Sequence, residues 1–115
     1  MISQDTETVA FRMLLRPGAE REYRRRHDEI WPDLEAELLA AGILDYRIFG
    51  DPKNHCLFAV ITRVRSHQMG ELPNKPVVRR WWAMMADLML TEADLSPQVT
   101  DLEEMFCLRR SAAQT

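Results

Sequence analysis

The chain has 115 residues, of which 46% are hydrophobic and 29% charged, with a formal net charge of −3. This length supports one hydrophobic core and not two, so a single domain over residues 1–115 is expected, ordered over about 8–109. The weak negative charge argues against nucleic acid or an anionic membrane surface as a partner. No apolar run approaches the ~20 residues of a membrane span, and MISQDTETVA lacks the basic-then-apolar order of a secretory signal. Cys56 and Cys107 lie in the apolar runs HCLFAV and MFCLRR, which predicts buried free thiols in a reducing, cytoplasmic setting.

TVAFRMLL alternates, with Val9, Phe11, Met13 and Leu15 on one side, and predicts a first strand that Pro17-Gly18 ends. From 19 to 41 the apolar spacing is three and four (Tyr23, His27, Ile30, Trp31, Leu34, Leu38), which predicts a helix stopped by Gly42. Pro32 removes one backbone donor from that helix, so it must kink or restart there. ILDYRIFG and CLFAVITRV predict two strands joined as a hairpin through Asp51-Pro52-Lys53-Asn54. A short helix at 66–72 and a longer one at about 76–90 follow, the second with Val77, Trp81, Met84, Met85 and Leu88 inward. LEEMFCLR predicts a fourth strand.

Strand, helix, strand, strand, helix, strand is the split βαβ order: an α+β, ferredoxin-like βαββαβ subunit with both helices on one face of an antiparallel sheet. The other face of such a sheet should be polar. Here Phe58 and Val60 oppose Leu57, Ala59 and Ile61, and Met105 and Cys107 oppose Phe106 and Leu108. Apolar residues on both faces need a second cover, and a second copy of the chain supplies it. A homodimer packed sheet to sheet is therefore expected.

Chemistry concentrates in EYRRRHDEIWP, where Tyr23, His27 and Trp31 recur every fourth residue. A lone histidine on a buried helix stripe is more often a packed residue than a reactive one. Against that stand the two flat amphipathic rings beside it and the adjacent pair Trp81-Trp82, about 100° apart on their helix and so unable both to point into the same core pocket. The run Arg24-Arg25-Arg26 is in the ordinary case a solvated face, though one of the three can reach inward. His27, His55 and His67 lack metal-site spacing with the cysteines, and neither a glycine-rich phosphate loop nor a GxSxG turn occurs.

Taken together, the Y-x3-H-x3-WP stretch, the tyrosine of LDYRIF, the R-W-W run and the closing L-x-E-x-F segment resemble the L-rhamnose mutarotases, from about residue 11 to 108. The resemblance implies a dimeric α+β barrel of ferredoxin-like subunits that interconverts the α and β anomers of L-rhamnose without a cofactor or metal. It implies His27 as the catalytic residue, with Tyr23, Tyr46, Trp81 and Trp82 contacting the sugar. The chemistry suits the residues: pyranose opening moves a proton off the anomeric hydroxyl and another onto the ring oxygen, and histidine titrates near neutrality. The runner-up is another enzyme on the same plan, a small dimeric α+β-barrel monooxygenase or haem-handling protein, because fold alone does not decide function. A third alternative is a dimeric binding module without catalysis.

Overall fold

The computed structural model describes residues 5–110. Strand β1 (Thr6–Leu14) leads into helix α1 (Glu20–Asp28), then α2 (Pro32–Ala40), the β2–β3 hairpin (Ile43–Asp51 and Cys56–Val64), α3 (Pro76–Met85) and a short β4 (Val99–Leu102). The sheet runs β2-β3-β1-β4 and every pair is antiparallel. This is the ferredoxin-like arrangement.

Sequence chemistry accounts for most of the boundaries. Gly42 follows the α2 C-cap Ala41 at φ 103°, a conformation that a Cβ disfavours. The hairpin turn is held by Asp51, whose carboxylate accepts from the Lys53 backbone N–H at 3.2 Å and the Asn54 amide at 2.8 Å. The 66–72 segment departs from its reading as a short helix and forms a 3-10 turn at Met69–Asn74 with Pro73 inside it. The predicted 76–90 helix ends at Met85 and tightens into a 3-10 turn at Ala86–Leu88.

Met13, Leu57 and Ala59 from the sheet pack against Tyr23, Leu34, Val77, Val78, Trp81 and Met85 from the helices. Cross-strand register puts Arg12 opposite Phe58, Ala10 opposite Val60 and Phe49 opposite Phe58, all on the face without helices. That face is incompletely covered: Phe58 and Val60 are half-buried and Phe49 is exposed.

The fourth strand differs from its expectation. Pairing with β1 covers Val99–Leu102 only, and residues 103–110 carry no regular structure. Met105, Phe106 and Leu108 are 86%, 80% and 87% exposed. The alternation in LEEMFCLR is genuine strand chemistry, but among the described residues no strand lies alongside it. The thiols are likewise free but not deeply buried. Cys56 is half-buried on the helix-free face, and Cys107 is exposed in the unpaired segment.

Candidate active site

Pro32 splits the long predicted helix in two. α1 stops at Asp28, Trp31 is extended (φ −69°, ψ 133°), and Pro32 starts α2 at its first turn, where a missing N–H costs no helical bond. The freed end is closed locally: Glu29 and Ile30 N–H donate to the carbonyls of Arg26 and His27, each at 3.2 Å. α1 begins with Glu20 and Glu22 and ends with Arg25, Arg26 and His27, the order that favours the helix dipole.

The aromatic residues meet across this break. The Tyr23 and His27 rings stack at 4.3 Å, one turn apart on α1. Trp81 on α3 meets His27 edge-on at 5.3 Å and Trp31 edge-on at 5.1 Å. Trp31 therefore joins the cluster from outside α1, through Trp81 and not along one continuous helix stripe. Tyr23 is 7% exposed and Trp81 8%.

A cavity of about 890 Å³ lies between the helices and the sheet, and its lining includes Tyr23, His27, Tyr46, Trp81 and Trp82. All five site residues expected from the sequence thus border one space. Trp82 is half-buried beside the core while Trp81 belongs to it, as adjacent helix positions require. Arg24, Asp28 and Glu20 add polar groups to the same wall. This volume exceeds what a monosaccharide fills and falls within the range of small-ligand sites.

The electrostatics separate proton acceptor from proton donors. His27 Nδ1 lies 3.1 Å from the Tyr23 carbonyl. A carbonyl only accepts, so Nδ1 carries the hydrogen and Nε2 keeps its lone pair. Burial lowers the His27 pKa below 6.5, opposed by that backbone bond and by Asp28, which favours the neutral ring. Burial raises the Tyr23 pKa, and the nearby Tyr46 adds to the effect. Tyr46 is pushed up to about 12 by desolvation, even though 38% of the residue is open to solvent. Both phenols are therefore neutral donors near a neutral imidazole.

Two polar contacts were not legible as specific pairs in the sequence. Glu20, on the cavity wall, bonds His55 across 2.9 Å, from α1 to the β2–β3 turn. Arg26 is the arginine that turns inward, reaching Asp87 and the Met84 carbonyl, both at 2.8 Å. Contacts between residues 35 to 61 positions apart leave no periodic signal. Among the described residues, no group of three or more His, Cys, Asp or Glu side chains converges as a metal site.

A profile of the L-rhamnose mutarotase family matches residues 8–108. An L-rhamnose mutarotase of Paraburkholderia xenovorans (strain LB400) is 54% identical over 102 residues, covering 89% of this chain and 95% of that one. The crystal structure of an L-rhamnose mutarotase from Formosa agariphila superposes with a TM-score of 0.81 at 39% identity, covering 90% of this chain and 99% of that one. A structure described provisionally as an antibiotic biosynthesis monooxygenase, from Bacteroides thetaiotaomicron, reaches a TM-score of 0.56 at 11% identity, over 95% of this chain and 99% of that one, and shares the fold alone. A profile match over nearly the whole domain, together with more than half of the aligned residues identical to a mutarotase, decides the family: this chain belongs to the L-rhamnose mutarotases.

Proposed function

We propose that this protein interconverts the α and β pyranose anomers of L-rhamnose, an isomerase reaction, with His27 as the proton-transfer residue. The observation that carries the proposal is a neutral imidazole with Nε2 unprotonated, stacked on Tyr23 and edged by Trp81 at the wall of the cavity. Nε2 takes the proton of the anomeric hydroxyl, the C1–O5 bond breaks, and the ring oxygen receives a proton from a neutral donor, Tyr23 or Tyr46. The aldehyde turns about C1–C2, and the reverse steps close the ring on the other face. The proton count is unchanged over the cycle, so no co-reactant is needed. Trp81 and Trp82 offer aromatic surface to the C–H side and the methyl of a deoxysugar.

The acting unit is a homodimer in this reading. Its support is the half-buried apolar surface of the helix-free face and the exposed Met105, Phe106 and Leu108 beyond β4. An Arg12 Nε buried on that same face with no hydrogen-bond partner among the described residues also fits an interface that a second copy completes. No helix among the described residues is long and apolar enough to cross a membrane, and a cytoplasmic setting suits two free thiols.

The deciding measurement is anomer exchange of L-rhamnose by saturation-transfer NMR, with and without protein. A protein-dependent exchange rate that scales with concentration is expected. Saturable sugar binding with an unchanged exchange rate points instead to a binding module and ends the enzymatic reading.

A further inference from the structure

Of three successive arginines, Arg24, Arg25 and Arg26, only Arg26 leaves its own helix for α3. Arg25 is satisfied locally by Glu22 and Glu29 and stands 55% exposed. The Arg26 side chain is 17% exposed and all three of its guanidinium nitrogens donate. Nε donates to Glu22 at 2.8 Å, Nη1 to Asp87 and to the Met84 carbonyl at 2.8 Å each, and Nη2 to the second Asp87 oxygen at 3.3 Å. Among the described residues, every hydrogen bond and ion pair between α1 and residues 76–88 comes from this side chain.

The location of this clamp matters for the site. α1 is nine residues long, buries only Tyr23 completely, and ends two residues after Arg26 at the Pro32 break. Its last turn, which carries His27, is thus not held by a continuing helix. The Met84 carbonyl is one of the four that α3 leaves without a helical partner, and a cation there also meets the negative end of the helix dipole. The clamp joins the last turn of α1 to the last turn of α3, and the two rings facing each other across that junction are His27 and Trp81, at 5.3 Å.

We propose that Arg26 is a positioning residue for the reaction: by locking α1 to the C-terminal end of α3 it sets where His27 stands against Trp81 and the cavity. The role needs the planar fork of arginine, because one side chain must serve Glu22, Asp87 and a carbonyl in fixed directions. It rests on the assignment of His27 to proton transfer made above, so the test has an arm that does not depend on activity.

Three variants, Arg26→Ala, Arg26→Lys and Asp87→Ala, are compared with wild type on samples whose folded fraction is fixed by melting curves. In the activity arm, kcat and kcat/KM for L-rhamnose anomer exchange should fall together in Arg26→Ala with KM nearly unchanged. The expected fall is about 10- to 100-fold, the scale of a misplacement of about 1 Å. Arg26→Lys should recover part of it. In the structural arm, the His27 imidazole proton resonances, assigned by their loss in His27→Gln, should carry ring-current shifts from Tyr23 and Trp81. They should move toward free-histidine values in Arg26→Ala and in Asp87→Ala. If Arg26→Ala does not fold, Asp87→Ala carries both arms. A lowered melting temperature with wild-type kcat and unmoved His27 resonances overturns the proposal. Absence of exchange by the wild type overturns the mutarotase reading instead and leaves the resonance arm to judge the clamp.

Discussion

His27 holds its hydrogen on Nδ1 because that nitrogen is hydrogen-bonded to the Tyr23 carbonyl, an obligate acceptor. The same burial that keeps the ring neutral lowers its pKa below 6.5. The unfolded chain therefore binds more protons than the folded one between the lowered value and 6.5. In that window this group's contribution to stability rises with pH, and it is lost as pH falls through it. The exchange rate should fall on the acid side of pH 6.5, with its midpoint below that value, because the proposed reaction uses the neutral ring. A midpoint above 6.5 in a rate-against-pH profile would contradict the buried neutral imidazole. His27→Ala should lower the exchange rate by at least ~10²-fold, the lower end of what a general acid–base group contributes. The fold should survive, because Tyr23 and Trp81 keep their core contacts. Rate and melting temperature measured on one sample separate this from a packing role, which would lower stability and spare the rate per folded molecule.

The tryptophans divide the work at the same scale. Trp81 is core and touches both His27 and Trp31, whereas Trp82 is half-buried at the cavity wall. Trp81→Ala should cost ~3–5 kcal/mol, the usual range for emptying a buried aromatic site. Trp82→Ala should cost less and weaken sugar binding more. Denaturant midpoints read the first, and the saturable change of tryptophan emission on adding L-rhamnose reads the second. Equal loss of stability in the two variants would contradict the assignment of Trp82 to the wall.

Among the elements, the α2–β2 junction depends most on one residue. At Gly42, an added Cβ would lie 2.8 Å from Val64 Cγ2 and 3.1 Å from the His67 Cα, at φ 103°. The junction is also pinned by its backbone: Val64 N–H donates to the Gly42 carbonyl at 3.0 Å and Gln68 N–H to the Ala41 carbonyl at 2.8 Å. Gly42→Ala should therefore destabilise by roughly 1–3 kcal/mol from backbone strain, with the contact adding to it. Gly18→Ala, with positive φ but open space around it, should cost less. A urea titration of the pair isolates the steric part.

The elements also mark where local patterning is informative. Alternation and three-four spacing located β1, β2, β3 and the start of α3 closely, because each of those patterns is answered within the chain. Pro32 announced a break, but whether the helix would kink or restart depended on Trp31 being drawn against Trp81, a tertiary contact. The 103–110 segment was placed in the sheet because period-two apolarity signals a strand without saying which sheet receives it. Tyr23, His27, Tyr46, Trp81 and Trp82, which border one cavity, were legible as candidates because aromatic and ionisable groups recur at helical spacing or match the family motifs. The Arg26–Asp87 clamp was not, since opposite charges 61 positions apart are common and only the fold selects one pair.

The whole molecule shows apolar surface in two places that a monomer leaves open: the helix-free face of the sheet and the segment after Leu102. Phe49, Leu102, Met105, Phe106 and Leu108 are all more than 40% exposed, and Phe58 and Val60 lie at the middle of the face with Ala10 and Arg12 as cross-strand neighbours. A small domain seldom keeps so much contiguous apolar surface in water, and a self-complementary patch is most simply covered by two-fold pairing. Light scattering at micromolar concentration should give about twice the 13.4 kDa chain mass. If two copies pair on this face, Phe58→Glu would replace apolar contact area by a carboxylate that Arg12, its cross-strand neighbour, can pair with in the monomer, and should shift the protein toward monomers. Phe106→Glu changes a side chain that is 80% exposed in a segment without regular structure, so a stability effect is expected chiefly through a partner. It should therefore leave an isolated subunit's fold intact while weakening the dimer, seen as a melting temperature that depends more steeply on protein concentration than in wild type. A wild-type mass of 13.4 kDa across the micromolar range would leave the helix-free face open to solvent and remove the dimer.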